Sequence, residues 1–182
     1  MTRERPTPPF LRELLGERFT LLGVASMLAL GGLCATLVVV GNPPLPAWQV
    51  ALAVVLLADI GAGALANFTS STNAWYGGRP RHRWVFIAVH VHLPLVAVVL
   101  RWPLVPALVT WAWTIASACL VNLLANRPEQ RVVAGGLFAF SLLIPLVAPS
   151  TPAACAVSAL FTLKVAYAFA VRHEPRVAPT AT

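Results

Sequence analysis

Ionisable side chains are rare in the long apolar stretches of this chain, and those that occur there are its candidates for chemistry. Four of them lie inside such stretches: Asp59, His90, His92 and Lys164. A carboxylate, an imidazole and an amine can each accept and release a proton. Charged groups in an apolar setting are costly unless they are paired. These residue types are therefore typical of an ion pair or a proton pathway.

Asp59 and Lys164 are predicted to meet. If the stretches around them are helices, each residue lies about 12 Å from the same end of its helix, at about 1.5 Å of rise per residue. Pairing them would remove two unpaired charges from an apolar environment with one contact. Two alternatives remain open. Lys164 extends its long side chain to the polar end of the helix, or Asp59 is protonated, neutral and hydrogen-bonded within the protein.

A polar face on the helix of Asp59 supports a position inside the protein. Asp59, Gly63 and Asn67 are spaced four residues apart, so they share one side of a helix. Small residues allow a neighbouring helix to approach closely, and polar residues provide hydrogen bonds across the contact. We expect this face to point toward the other helices. Tyr167 follows Lys164 by about one turn and is predicted to hydrogen-bond to the same polar cluster.

The two histidines lie two positions apart in one apolar stretch. On a regular helix His90 and His92 would point about 200° apart, so they are not expected to bind one metal ion together. Pro94 cannot donate a hydrogen bond to the carbonyl of His90. The pattern therefore predicts a free carbonyl beside an imidazole, which is a place for a proton, a water or a ligand. The alternative is a purely structural hydrogen bond between helices.

Composition excludes a soluble domain. The 182 residues are 58% hydrophobic and 10% charged, with a mean hydropathy of +0.77, whereas soluble domains carry about 25% charged residues. A membrane-spanning helix needs roughly 20 apolar residues. The apolar stretches predict six spans: 20–40, 46–67, 84–100, 104–124, 132–147 and 153–171.

The predicted fold is therefore an all-α membrane protein with six transmembrane helices and short loops. Residues 1–19 are predicted to be a cytoplasmic segment with an amphipathic helix at the membrane surface, because apolar and charged residues alternate at helical spacing from Phe10 to Phe19. Residues 20–171 form the six-helix domain. Residues 172–182 are predicted to be an exposed cytoplasmic tail.

The basic residues predict the orientation. The N-terminus, the loops 68–83 and 125–131 and the tail hold four, three, two and two of the 13 Lys and Arg residues, and the opposite side holds only Arg101. Positive charge accumulates in cytoplasmic loops. Both termini are therefore predicted to be cytoplasmic, in a plasma or inner membrane. Because the excess arginine serves orientation, no nucleic-acid partner is predicted; the expected partners are the lipid bilayer and either further copies of the chain or a membrane complex.

Three functions are compatible with these residues. The first is proton-linked transport through a polar cluster in the inner half of the membrane, formed by Asp59, His90 and Lys164. The second is a non-catalytic membrane partner or subunit in which the charges set helix register. The third is an intramembrane enzyme such as a metal-assisted hydrolase, which would use Asp59, His90 or His92 with a loop serine such as Ser70 or Ser71.

No catalytic residue, metal site or cofactor is predicted. The sequence contains no glycine-rich phosphate loop, no serine nucleophile motif and no pair of cysteines at metal-binding spacing. The three cysteines all lie in apolar stretches, where cysteine behaves as a small hydrophobic residue.

Overall fold

The computed structural model describes residues 4–148 and 150–173. It is 75% helical with almost no strand; within the described ranges strand is limited to β1 (Arg5–Pro6) and β2 (Arg18–Phe19). Six helical stretches are long and apolar enough to cross a membrane. The predicted helical class and the predicted number of apolar spans are confirmed. The predicted tail, residues 172–182, falls almost wholly outside the described residues.

The helices follow one another with short connections. In chain order they are α1 (Arg12–Leu15), α2 (Leu21–Val40), α3 (Ala47–Ala66), α4 (Ser70–Gly77), α5 (Pro80–Val89), α6 (His92–Val99), α7 (Leu104–Leu123), α8 (Gln130–Ser141), α9 (Ile144–Val147) and α10 (Pro152–Thr162). A π-helical segment, Leu163–Phe169, continues α10. Span 1 is α2, span 2 is α3, span 3 is α5 with α6, span 4 is α7, span 5 is α8 with α9, and span 6 is α10 with the π-helical segment.

Polar caps and prolines determine where several spans begin. Thr20 and Thr151 precede spans 1 and 6, and the side chain of each accepts a hydrogen bond from the backbone N–H three residues on. Pro80 lies in the first turn of span 3, where its missing N–H would have no partner in any case. Spans 1, 2, 4, 5 and 6 lie within two residues of their predicted bounds. Span 3 begins earlier than predicted, at Pro80 instead of Trp84.

The segment predicted as a polar loop, 68–83, is largely helical, so that prediction is wrong. α4 forms inside it, and Thr69 begins this helix by accepting a hydrogen bond from the backbone N–H of Thr72. α5 follows at once, which places Arg83 on a helix with only 2% of its surface exposed. Packing of these polar residues against the bundle, which apolar periodicity does not register, stabilises the short helix.

The predicted amphipathic helix of residues 10–19 is also wrong in extent. The α-helix covers only α1, because Gly16 adopts a positive φ of 71° and ends it. The chain then returns as β2, which pairs antiparallel with β1. A Cβ atom on Gly16 would lie 2.2 Å from the backbone of Ser71. The segment is therefore packed tightly on α4 and does not form a continuous surface helix.

Span 6 lies at the centre of the bundle. It packs against spans 2, 3, 4 and 5, whereas span 1 packs mainly against span 2. Phe161 and Val165 of span 6 are fully buried and share one apolar core with Leu57 and Ile60 of span 2. This arrangement brings polar groups of span 6 into contact with side chains from several other helices.

Candidate functional site

The two charged residues that were predicted to pair are in contact. Lys164 Nζ donates a hydrogen bond to Asp59 Oδ2 at 2.6 Å. The lysine side chain, on the π-helical segment, is 3% exposed, whereas the aspartate side chain, on α3, is 38% exposed. The ammonium group therefore ends on a counter-charge inside the bundle and does not extend to the end of its helix.

The polar face of α3 is built around the lysine. A Cβ atom on Gly63 would lie 2.4 Å from Lys164 Cε, so the glycine leaves the space through which the lysine reaches Asp59. Asn67 Nδ2 donates to the carbonyl oxygen of Lys164 at 3.3 Å. Gly63 and Asn67 thus point into the bundle as predicted, and all three residues of the face contact the same lysine.

His92 adds an imidazole to the pair. Its Nε2 lies 3.6 Å from Asp59 Oδ2, the oxygen that also binds Lys164. Its Nδ1 is buried and has no hydrogen-bond partner within the part of the chain that the structure describes. The side chain as a whole is 25% exposed. One carboxylate oxygen therefore faces both an ammonium and an imidazole, and we call Asp59, His92 and Lys164 the mid-span cluster.

His90 is held by structural contacts instead. Its Nδ1 hydrogen-bonds to the carbonyl oxygen of Phe86, and the two rings lie with their centroids 3.9 Å apart. Trp111 Nε1 donates to the carbonyl oxygen of His90 at 2.9 Å. The carbonyl that Pro94 leaves without a helical partner is thus occupied by an indole N–H. The prediction of a free carbonyl at this position is wrong.

Span 3 is interrupted between the two histidines. α5 ends at Val89 and α6 begins at His92, while His90 has a non-helical conformation with ψ 70°. A proline removes a helical hydrogen bond and clashes with the carbonyl four residues earlier, and for Pro94 that residue is His90. The ring centroids of the histidines are 5.1 Å apart. The expectation that the two rings point away from each other, based on a regular helix, is therefore wrong.

Tyr167 lies outside the mid-span cluster. Its ring packs near those of Phe68, Phe138 and His173, at centroid distances of 6.0, 6.4 and 6.2 Å. In the described ranges, no hydrogen bond connects its hydroxyl to Lys164 or to the other members of the cluster. Helix winding explains the difference, because the predicted spacing of one turn assumed an α-helix and the segment is π-helical.

A second buried cation, Arg83 of α5, contacts the end of span 6. Its Nε donates to Asn122 Oδ1 at 2.7 Å, and one terminal nitrogen donates to the carbonyl oxygens of Phe169 and Ala170 at 3.2 and 2.8 Å. Its other terminal nitrogen is buried and has no partner among the described residues. No carboxylate within residues 4–148 and 150–173 forms an ion pair with it. Within the described part of the chain, neutral oxygen atoms alone compensate this charge.

Amide side chains satisfy further carbonyls at the same helix end. Asn73 Nδ2 donates to the carbonyl oxygen of Val171 at 3.0 Å, and Gln130 Nε2 donates to that of Ala170 at 3.0 Å. A helix leaves its last carbonyl groups without partners inside the helix. Side chains from α4, α5 and α8 take that place here. We call Arg83, Asn73 and Gln130 the helix-end cap.

The helix-end cap is the part of the site that the sequence patterns missed. The charge pattern assigns Arg83 to a loop, although Pro80 three residues before it is a signal for a helix start. Asn73 and Gln130 lie in polar segments without apolar periodicity, so no pattern indicates that they are buried.

Proton exchange is the chemistry that the mid-span cluster supports directly. In the described ranges, no group of three or more His, Cys, Asp or Glu side chains is arranged to hold a metal ion. The hydroxyl of Ser71, a candidate nucleophile, accepts a hydrogen bond from the backbone N–H of Arg18 at 2.9 Å.

No family model, curated protein or solved structure matches this chain.

Proposed function

We propose that this chain is a six-span integral membrane protein with both termini in the cytoplasm. Six apolar helices support the membrane location, as do the many large apolar side chains exposed around the bundle, such as Leu28, Val105 and Val132. The concentration of arginine at one end supports the orientation. Reporter fusions test it: we expect a fusion after Gly78 to report cytoplasm and one after Pro43 to report the opposite side. The reverse pattern would overturn the orientation.

Within this protein we propose that the mid-span cluster carries proton-linked transport. The observation that supports the proposal is the carboxylate of Asp59, which is 38% exposed while it binds the buried Lys164 and lies 3.6 Å from His92. Asp59 is the only acidic side chain in the six spans. It can therefore receive a proton from its exposed side while it holds the charge of the lysine on the other.

Protonation would break the pair. When His92 has taken up a proton and is an imidazolium, transfer of that proton from Nε2 to Asp59 Oδ2 returns the histidine to its neutral form. The carboxylate then becomes neutral and leaves the ammonium of Lys164 without a counter-charge. An unpaired charge in an apolar interior costs several kcal/mol. The lysine must then release its own proton or move with its helix toward water. Either response couples the proton to the contact between spans 2 and 6, which is the coupling that a proton-linked transporter requires.

Proton flux into liposomes tests the proposal. The purified protein is reconstituted with a pH-sensitive dye inside the vesicles, and a pH gradient is applied. We expect flux above that of protein-free vesicles, loss of flux in Asp59→Asn and a reduction in His92→Gln. The matched controls are Glu129→Gln and His82→Gln, which change exposed residues of the same types outside the cluster.

Folding must be separated from function in this test. The double variant Asp59→Asn with Lys164→Met removes both charges and leaves no unpaired ion, so it should remain folded but inactive. Wild-type flux equal to that of empty vesicles would refute proton transport. Full flux in a folded Asp59→Asn variant would remove the cluster from the pathway.

A membrane partner or subunit is the second candidate, and the exposure of Asp59 favours it as well. A carboxylate that is partly open at the side of the bundle could accept a hydrogen bond from a span of another chain or of a second copy. That function predicts no proton flux. It predicts instead that a complex purified in mild detergent dissociates in the Asp59→Asn variant.

A further inference from the structure

A basic pocket of about 410 Å³ lies beside the end of span 6. It is formed between the turn that joins α7 to α8 and the residues that follow the π-helical segment. Its polar lining consists of Asn126, Arg127, Gln130, Arg131 and Arg172. We call it the basic pocket. It is separate from the mid-span cluster, which contributes none of its lining residues.

Every ionised side chain that lines the basic pocket in the described ranges is positively charged. Three of its lining residues are arginines, and none of its lining residues in the described ranges is acidic. The buried guanidinium of Arg83 lies close behind it, because Arg83 and Gln130 donate to the same carbonyl oxygen, that of Ala170. Three positive charges therefore line one small volume and a fourth lies close behind it, and an anion in the pocket would relieve their mutual repulsion.

Two of the three arginines, Arg172 and Arg131, form side-chain hydrogen bonds with the protein. The terminal nitrogens of Arg172 donate long hydrogen bonds to Asn126 Oδ1 and to the carbonyl oxygen of Gly77, at 3.5 and 3.4 Å. Its Nε is buried and has no hydrogen-bond partner within the described ranges. Arg131 is anchored through one terminal nitrogen, which donates to the carbonyl oxygen of His173 at 2.7 Å. These contacts orient two guanidinium groups toward the pocket before any ligand arrives.

Arg127 is the third arginine and the one that is available to bind. Its side chain is exposed, and it forms no hydrogen bond or ion pair with the described residues. A guanidinium group matches two oxygens of a phosphate at once, which makes arginine the preferred residue for phosphate recognition. Two arginines that hydrogen-bond to the protein and one arginine whose side chain does not are a suitable arrangement for a tetrahedral anion.

Apolar surface adjoins the basic pocket. Leu123, at the end of α7, is 71% exposed, and Val132, in the first turn of α8, is 78% exposed. These residues flank the turn that forms the pocket. A ligand with a phosphate group and hydrocarbon chains could therefore place the phosphate among the arginines and the chains along the helices. Basic pockets between spans on the cytoplasmic side are a recognised mode of binding anionic lipid headgroups.

We propose that the basic pocket binds a phosphate group, presented either by an anionic phospholipid or by free phosphate. Under the orientation proposed above, the pocket faces the cytoplasmic leaflet. Binding there would join α8 to the end of span 6 through the ligand. This site goes beyond the proposed transport function and does not depend on it.

Lipid binding to the purified protein in detergent tests this inference. Mixed micelles with phosphatidylglycerol are titrated against wild type, with phosphatidylcholine micelles as the reference, and retained lipid is counted by native mass spectrometry. We expect phosphatidylglycerol to be retained in preference to phosphatidylcholine. Arg127→Gln should weaken that retention about fivefold, and the charge reversal Arg127→Glu should weaken it further.

The control variant is Arg81→Gln. Arg81 is an exposed arginine of α5 that does not line the basic pocket, so this change removes the same charge from the same end of the protein. We expect retention within twofold of wild type. Equal retention of the two lipids would refute the site. Equal losses in Arg81→Gln and Arg127→Gln would also refute it, because they would show attraction to the general surface charge.

Inorganic phosphate distinguishes the two sources of the group. If millimolar inorganic phosphate displaces phosphatidylglycerol from wild type, the arginines recognise phosphate itself and hydrocarbon chains are not required. If only the lipid binds, the flanking apolar surface contributes and the ligand is a phospholipid. Both outcomes support the basic pocket. Neither depends on proton flux, so a failure of the transport proposal would leave this result unchanged.

Discussion

Lys164 and Arg83 are two cations buried in the same bundle, and different groups compensate their charges. Lys164 is 3% exposed and contacts the carboxylate of Asp59 at 2.6 Å. Arg83 is 2% exposed, and among the described residues it donates only to neutral oxygens, those of Asn122 and of two carbonyls at the end of span 6. The negative end of a helix dipole favours a cation at that second position.

The difference concerns what a proton can do at each position. A carboxylate can be protonated, so the compensation of Lys164 can be removed by one proton. Backbone carbonyls and an amide do not titrate in the accessible pH range, so the compensation of Arg83 is permanent. Protonation can therefore change the contacts of the mid-span cluster, whereas it leaves the contacts of the helix-end cap unchanged.

The largest effect is expected from breaking the ion pair. Asp59→Asn leaves the ammonium of Lys164 without a counter-charge, and Lys164→Met leaves the carboxylate of Asp59 without one. Breaking a buried pair in this way typically costs about 3–5 kcal/mol, whereas removing both charges is nearly neutral. The free energy of unfolding in detergent should therefore be lower in each single variant than in the double variant. The double-mutant cycle gives the coupling energy. A coupling below about 0.5 kcal/mol would show that the contact contributes no stability.

Removing Arg83 should cost less, because no counter-charge is left behind. Arg83→Met leaves the buried acceptors of Asn122 and Phe169 without a donor. We therefore expect a loss of about 2–3 kcal/mol in the free energy of unfolding. Arg83→Lys should recover only part of it, because an ammonium cannot reproduce the planar set of donors. A loss as large as that of the Lys164 single variant would break the comparison, since it would indicate a counter-charge at this position too.

A smaller effect should follow from closing the space beside the lysine. In Gly63→Ala the new methyl group would meet Lys164 Cε at 2.4 Å, so the lysine must shift away from Asp59. We expect a loss of about 1–2 kcal/mol, measured by thermal unfolding. Gly32→Ala is the control, because a Cβ there has nothing within 4 Å. Equal stability of the two variants would show that the pair tolerates displacement.

The last effect is absent at neutral pH and develops only at high pH. Tyr76 packs edge-on against Phe169, next to Arg83, and burial together with the charge of Glu13 raises the pKa of its hydroxyl to about 12. The unfolded state loses this proton near pH 10, so stability should decline as the pH rises from about 10 to 12. Tyr76→Phe should lack that part of the decline. Unfolding midpoints of wild type and variant, measured between pH 8 and 12, check this expectation. Curves of the same shape for the two proteins would contradict it.

Much of the fold follows from the sequence, because length and apolar content determine a spanning helix almost alone. The matching depths of Asp59 and Lys164 similarly sufficed to predict their contact. Depth along a straight helix is a one-dimensional quantity, and simple arithmetic on residue numbers estimates it well.

The histidines and the helix-end cap could not be predicted in the same way. The position of His92 depends on a break in span 3, and a regular helical wheel places His90 and His92 on opposite sides. Pro94 indicated a disturbance but not the direction in which the chain turns. Arg83 and Gln130 are buried because the carbonyl oxygen of Ala170 lacks a helical partner, which depends on how a different span ends. Such contacts are set by tertiary structure and leave no periodic trace.

The separation of Asp59 and Lys164 along the chain has a consequence for biosynthesis. The two residues are 105 positions apart, so at about 5–20 residues per second the ribosome completes Lys164 roughly 5–20 s after Asp59. During that interval the second span has been made but its counter-charge has not. The carboxylate must stay hydrated or protonated until the last span arrives. Span 6 therefore delivers the partner of Asp59 as well as the centre of the bundle, and its arrival is the step that completes the ion pair.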